Sequence, residues 1–429
     1  MSIPSLYHQI QASLSDLLLQ SPERRASCFV VGFSGGVDST VLLHALLADK
    51  PTLPVHAVYI NHGLSVNADK WQNHCHEVCR SLDIPFTAIP VSIDNSPRTS
   101  LEAQARELRY QKLIEYCHHH QGILLLGQHQ DDQLETFLLQ AKRGAGPKGL
   151  AGMPALTWRE DILICRPLLS VSRQDIESEA HYQRLKWIED ESNQDNQFDR
   201  NFLRNSIIPA LTARWPVLAK TVSRSARLCA QQQALLEEAV DEKLAGMVDE
   251  GALDIVGLQS FSHAWQQQIV RRWLESAGLA LPSYKQTEQL LALTEARDDA
   301  QPILLLQGWQ VRRAQGRFWL ARVLSSPPRE VIQVKALERC DFDWSATPPF
   351  QLNQDARVQA NMPSVRCREN INGVSKPLKA WMKQWGIPAW QRSHLPVVFI
   401  DGKPVAIVRP RDVIYFTDAP VGFQVIIEK

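Results

Sequence analysis

The chain has 429 residues, with 46 Lys+Arg against 46 Asp+Glu, 44% hydrophobic and 21% charged residues. That length exceeds one ordinary core and points to two or three domains, in a composition typical of globular proteins. Zero net charge excludes a uniformly basic nucleic-acid coat but not local basic patches, the absence of eighteen uninterrupted apolar residues excludes a helical membrane span, and eight scattered cysteines suit reduced thiols.

Residues 1–20 read as an amphipathic helix with Leu6, Ile10, Leu14 and Leu17 along one side. They lack the basic start, apolar run and cleavage site of a signal peptide, so the expected compartment is cytoplasmic. Strand and helix patterns then alternate. The strands are expected at Cys28–Phe33, Val55–Ile60, Phe86–Ile93 and Ile123–Gly127. The helices between and after them are expected at Ser39–Leu47, Ala68–Leu82, Leu101–Cys117 and Asp132–Gln140. Repeated units of this kind predict an α/β fold, a doubly wound parallel sheet with its loops gathered at one edge.

From about Ala210 the rhythm becomes helical. Patterns at Val217–Val248, Trp265–Ala277 and Lys285–Glu295 lead into a hairpin near Ile303–Leu320. Ser325-Ser326-Pro327-Pro328 reads as a linker. A small α+β domain follows, with a helix at Lys376–Trp385 and strands Val397–Ile400 and Val405–Val408 around Asp401-Gly402, a hairpin signal. The expected domains are therefore 1–215, 216–324 and 325–429.

The strongest chemical signal is Ser34-Gly35-Gly36-Val37-Asp38-Ser39, placed between a strand and a helix. Its glycines let the backbone turn and approach an anion, and the helix N-terminus completes an anion-binding loop. The Lys-[Ser/Thr] of the P-loop is missing, which counts against a kinase or GTPase. A carboxylate at Asp38 beside a phosphate site calls for a bridging cation, so Asp38 is the expected Mg2+ ligand. Asp132 and Glu135 lie three apart at a helix start, where they either cap the helix or hold an ammonium group and accept its proton. Arg200 and Arg204, four apart, share a helix face suited to an α-phosphate, an RNA backbone or a salt-bridged surface. His74, Cys75, His76 and Cys79 offer one metal-ligand pair without a second, so ordinary helix residues are the simpler reading. His118, His119 and His120 suit a helix C-terminus. Lys142, Arg143 and Lys148 crowd a glycine-rich segment. Lys376, Lys379, Lys383, Arg392, Lys403, Arg409 and Arg411 interleave with Trp381, Trp385 and Trp390. This pattern suits RNA, although Trp381 and Trp385 also have core spacing.

The SGGVDS loop resembles that of the PP-loop ATP pyrophosphatase superfamily. Gly127-Gln128-His129-Gln130-Asp131-Asp132-Gln133-Leu134-Glu135-Thr136, the segment Gly144–Met153 and Trp187–Asn193 with Arg200, Asn201 and Arg204 narrow the resemblance to the tRNA(Ile)-lysidine synthetase family, in its longer bacterial form. Lys376–Lys379, Ile387–Trp390 and Arg392 extend it to the C-terminal region. The resemblance implies adenylation of the wobble cytidine O2 of an isoleucine tRNA with a CAU anticodon. Attack by free L-lysine on carbon 2 then yields lysidine, AMP and pyrophosphate, and changes codon reading from AUG to AUA. It implies ATP and Mg2+ as cofactors and makes a homodimer the expected assembly. It assigns ATP binding to residues 34–39 and catalysis to Asp38, Asp132, Glu135, Asn193, Arg200 and Arg204. Lysine binding is assigned to Asp132, Glu135 and Arg106, and tRNA binding to Lys142, Arg143, Lys148, Lys376, Lys379 and Arg392. Capping rivals catalysis for Asn193. A tRNA thiolase would need a paired or Cys-x-x-Cys sulfur relay, and a glutamine-using synthetase a glutaminase domain; neither pattern is present. An RNA-binding protein with ATP as a structural ligand is disfavoured by acids that repel RNA.

Overall fold

The computed structural model describes residues 5–21, 26–63, 67–92, 101–189, 191, 195–297, 302–306, 308–328, 330–345, 347–360, 362, 364–368, 374–410 and 412–428. Two compact units emerge, Met1–Leu236 and Glu237–Lys429. No described helix is long and apolar enough to cross a membrane.

The first unit begins with α1 (Leu6–Leu19), β1 (Cys28–Gly32), α2 (Val37–Leu47), β2 (Val55–Asn61), α3 (Ala68–Ser81) and β3 (Phe86–Pro90). It continues through α4 (Leu101–His120), β4 (Gly122–Leu125), α5 (Gln130–Lys142) and α6 (Pro147–Leu150). A hairpin, β5 (Leu156–Arg159) and β6 (Ile162–Cys165), precedes α7 (Arg173–Tyr182). Helices α8 (Asp199–Phe202) and α9 (Ile208–Arg214) then flank a π turn at Leu203–Ile207. The sheet order is β3-β2-β1-β4-β6-β5, parallel except for β5.

Alternation along each strand explains the double winding. Phe29, Val31, Ala57, Ile123 and Leu125 pack on one face with residues of α1, α2, α3 and α7. Val30, Val58, Leu124 and Leu126 pack on the other with Leu113, Ile114 and Cys117 of α4. The expected strand and helix positions are occupied, with ends shifted by a few residues; Ile93 lies outside the described residues. Sequence reading missed the β5–β6 hairpin because its turn uses Glu160 and Asp161 at positive φ (48° and 58°), with no glycine to mark it.

A long helix, α10 (Leu218–Ala245), crosses the division between the units. The second unit holds β7 (Val248–Asp249), β8 (Ala252–Asp254), α11 (Ile255–Gln259), α12 (His263–Ser276) and α13 (Tyr284–Ala292). Then come β9 (Ile303–Leu306), β10 (Trp309–Ala314) and β11 (Arg317–Arg322). These strands form one sheet, β7-β8-β11-β10-β9, richer than the hairpin that periodicity predicts. Beyond it are β12 (Ile332–Val334), β13 (Phe350–Leu352), β14 (Ala356–Gln359), β15 (Arg366–Cys367), β16 (Lys376–Pro377) and α14 (Leu378–Gln384). The last strands are β17 (Val397–Ile400), β18 (Lys403–Val408), β19 (Val413–Tyr415) and β20 (Val425–Ile427). The β17–β18 turn places Asp401 and Gly402 at φ 49° and 77°, the geometry their dipeptide favours. Trp381 is buried and stacks on Trp385 at 5.8 Å, so the core reading holds for Trp381.

Cys75 and Cys79 are fully buried against the sheet, and burial pushes both thiols up to about 12. No cluster able to hold a metal occurs among the described residues. A thiol reagent should therefore modify half-buried Cys229 first and reach Cys75 and Cys79 only on unfolding. Mass spectrometry finding rapid native-state labelling at Cys75 would contradict this packing.

Candidate active site

The strand order reverses between β1 and β4, which opens a crevice at their carboxyl ends. Two loops meet there. From β1, residues 33–36 lead into α2, whose N-cap is Gly36, a residue with no side chain to occupy the first-turn amides. Gly35 has φ 78°, and a Cβ there would lie 2.6 Å from Ile188 Cδ1 and 2.8 Å from Cys75 Sγ. Ile188 N–H also donates to Gly35 O at 2.8 Å, strapping the 187–189 segment onto the loop. Ser39 Oγ donates to Gly36 O at 3.0 Å and lies 3.2 Å from Ser34 Oγ. From β4, Gly127 approaches so closely that a Cβ would sit 3.1 Å from both Asp38 C and Ser39 N.

His129 and the start of α5 line the same crevice. Asp132 Oδ2 accepts the His129 backbone N–H at 3.1 Å, which fixes the helix entry. The buried His129 ring lies 3.6 Å from Asp38, 3.7 Å from Asp131 and 3.5 Å from Asp132. Burial opposes charge on the ring, but these three carboxylates outweigh it and raise its pKa above the ordinary value. Burial raises the Asp38 carboxyl, although His129 and Arg173 pull the other way. Arg173, the first residue of α7, donates Nη1 to both Asp38 oxygens at 2.8 and 2.7 Å, while its backbone N–H reaches Asp131 at 2.8 Å. A guanidinium thus occupies the carboxylate expected to ligate Mg2+.

One turn along α5, Glu135 is almost fully buried. Arg200 Nε donates to it at 2.6 Å, and Arg204 donates Nε and Nη2 at 2.6 and 3.0 Å. Arg204 Nη2 also reaches Asp132 Oδ1 at 3.1 Å. The two arginines come from α8 and the π turn after it, and both bend to one carboxylate. Burial acts to raise the Asp132 carboxyl, but His129, Arg200 and Arg204 together hold it below the usual range. Asp132, Glu135, Arg200 and Arg204 are thus brought together, with Asp38 joined through His129.

The other candidates do not join this cluster, although Arg106 shares a cavity with Ser34, Asp38 and Ser39. Arg106 lies over the Tyr110 ring at 5.4 Å and lines a cavity of about 190 Å³ between the loop, β2 and α4. No described ion pair joins it to Asp132 or Glu135. Asn193 lies outside the described residues. Lys142 pairs with Asp199 at 2.7 Å, and Arg143 and Lys148 are exposed nearby in sequence. In the second unit Lys379 is exposed, Lys376 covers the Trp381 ring at 4.7 Å and Arg392 Nε donates to Ile387 O at 2.8 Å.

Sequence reasoning passed over Arg173 and Arg166 and gave His129 no role. His129 stood inside the His129-Gln130-Asp131-Asp132 run and could have been singled out there. Arg166 is buried, donating to Gln128 Oε1, to Pro154 O at 2.8 Å and to Tyr110 Oη at 3.5 Å. Arg173 has a local partner in Glu177, to which its Nε donates at 2.7 Å, but the carboxylate it holds at the site and the partners of Arg166 are distant in sequence.

Replacing Glu135 by Gln should leave two partly buried guanidiniums competing for a neutral acceptor. A loss of about 3 kcal/mol in urea unfolding is expected, in the range for breaking a buried ion pair. An unchanged midpoint would show that the cluster contributes nothing to the fold.

Comparison with known proteins agrees along most of the chain. The PP-loop domain family matches residues 6–211, the TilS substrate binding domain residues 253–319 and the TilS substrate C-terminal domain residues 356–411. The tRNA(Ile)-lysidine synthase of Proteus mirabilis (strain HI4320) is 39% identical over 401 residues, covering 88% of this chain and 90% of that protein. The Haemophilus ducreyi (strain 35000HP / ATCC 700724) enzyme of the same name is 41% identical over 424 residues, 93% of this chain and 97% of its own. With the anion loop, the paired carboxylates and their arginines in place at one sheet edge, the chain belongs to the tRNA(Ile)-lysidine synthase family.

Proposed function

We propose that this chain carries out ATP-dependent lysidine formation on tRNA(Ile), joining free L-lysine to carbon 2 of the wobble cytidine. The observation that supports this most directly is the meeting, at one switch point, of an anion loop and a carboxylate–guanidinium cluster. Cytosine O2 attacks the α-phosphorus of ATP, the bond to the bridging oxygen breaks, and pyrophosphate leaves. The lysine amine, having lost one proton, then attacks carbon 2. It sheds a second proton, and the bond from carbon 2 to the adenylated oxygen breaks to release AMP.

The amides of residues 34–39 receive the pyrophosphate, and the cavity beside Arg106 and Tyr110 takes the nucleoside. Asp38 fits Mg2+, which commonly takes one or two carboxylates and completes its shell with substrate phosphates. The ion supplies charge neutralisation at the leaving pyrophosphate. Arg173 donates to both Asp38 oxygens, so it would have to release Asp38 for that carboxylate to hold Mg2+. Arg200 and Arg204 neutralise Asp132 and Glu135 until an α-phosphate draws them off. The carboxylates released in this way hold the lysine ammonium and take its proton. The resemblance also supports tRNA contacts from Lys142, Arg143, Lys148, Lys376, Lys379 and Arg392, a catalytic part for Asn193, and a homodimer. Sedimentation velocity reads the last of these directly.

The decisive test supplies purified protein with Mg2+, ATP, labelled lysine and isoleucine tRNA bearing an unmodified CAU anticodon. Label should enter the tRNA with release of AMP and pyrophosphate; ATP cleavage without transfer would point to another nucleophile. Asp38→Ala should lower turnover by about 100-fold or more, the scale of losing one electrostatic stabiliser, while tRNA affinity persists. Weakened tRNA binding with intact turnover would remove Asp38 from the chemistry. Asp132→Asn should raise the KM for lysine more than that for ATP, and equal effects would refute a lysine-binding role.

A further inference from the structure

The second unit contains a cavity of about 820 Å³ that the reaction leaves unused. Its walls come from β10 and β11, from residues 341–349 and from the 390–394 segment. Two arginine–tryptophan stacks line it. The Arg312 guanidinium lies 5.2 Å from the Trp390 ring centroid, and Arg322 lies 5.3 Å from that of Trp309, its cross-strand partner. Arg312 has one described hydrogen bond, from Nη2 to Gln310 Oε1 at 3.0 Å. Among the described residues no carboxylate pairs with Arg312 or Arg322, and burial lowers the Arg312 pKa without an opposing acid. Two further donors, Arg312 Nε and Trp390 Nε1, are buried with no acceptor. Such groups are costly to leave unmatched, and protein interiors rarely hold two in one place.

The chemistry of the walls selects the ligand. An apolar molecule would leave the donors and both cations unanswered. A bare phosphate would fill little of the volume and would face Asp341 and Asp343 in the lining. A nucleobase meets the whole set: it is flat against tryptophan and Phe342, brings ring and carbonyl acceptors to the arginine and indole donors, and offers N–H groups to Asp343. A volume of this size lies within the range of small-molecule sites.

We propose that this cavity binds one unpaired nucleotide of the tRNA, its base held by Arg312, Trp390 and the Trp309–Arg322 stack. The proposal rests on the reading that the chain acts on tRNA, but it concerns binding and not chemistry. Direct binding therefore separates its failure from that of the lysidine reading. Full-length protein, Arg312→Gln and Trp390→Phe are compared for affinity by fluorescence anisotropy of labelled isoleucine tRNA, with circular dichroism as the fold control. Phe keeps the ring and removes the donor, so it serves if the Arg312 variant misfolds. The expected result is about tenfold weaker tRNA binding for Arg312→Gln and a smaller loss for Trp390→Phe, consistent with removing contacts to one base. ATP and lysine KM values should stay unchanged. In parallel, each of the four nucleoside monophosphates is titrated against tryptophan fluorescence. Unchanged tRNA affinity in both folded variants would overturn the proposal. So would tight monophosphate binding that tRNA does not compete away, which would assign the cavity to a free nucleotide.

Discussion

The backbone leaving β4 touches the backbone entering α2 at Gly127, with no room for a side chain between them. Because β1 and β4 are neighbours whose connections run to opposite sides, this contact forms at the point where the sheet opens. It sets the distance between the anion loop and the His129–Asp132 element. The order 3-2-1-4 and the absence of a Cβ at 127 are thus one requirement, expressed once in topology and once in composition.

Charge balance is the second constraint. Four acids, Asp38, Asp131, Asp132 and Glu135, are gathered in or beside one crevice, and burial acts against ionisation of Asp38, Asp131 and Asp132. His129, Arg173, Arg200 and Arg204 oppose that, each through contacts between residues far apart in the chain or across a helix start, and hold Asp131 and Asp132 below the usual carboxylate range. Each of these acids thus lies within ion-pairing distance of a histidine or arginine side chain.

The second unit solves a different problem. Its sheets bury Val311 and Phe318 on one side and Val398, Ala406 and Ile407 elsewhere, while leaving guanidinium–indole stacks around a large cavity. Basic and aromatic residues that looked like one continuous surface along residues 376–411 separate on folding. Trp381 becomes core, Lys376 covers it, and Trp390 turns to meet Arg312 from another sheet.

The sequence by itself determined the parallel α/β core, because the continuous apolar runs Phe29–Val31, Ala57–Ile60 and Ile123–Leu126 need apolar cover on both faces. It also determined the glycine turn between β1 and α2, since two glycines between a strand and a helix leave first-turn amides open, and the Asp401-Gly402 hairpin, since that dipeptide accepts positive φ. These are local properties of the chain. Tertiary structure decided what required distant partners: Arg173 on Asp38, Arg200 and Arg204 on Glu135, Arg166 beneath Gln128, and Arg312 against Trp390. An arginine carries no local signal of which carboxylate or ring it will meet, because its long side chain is placed by the packing of elements tens of residues away. The same holds for the β5–β6 hairpin, whose glycine-free turn is stabilised by sheet pairing and not by the preferences of Glu160 and Asp161.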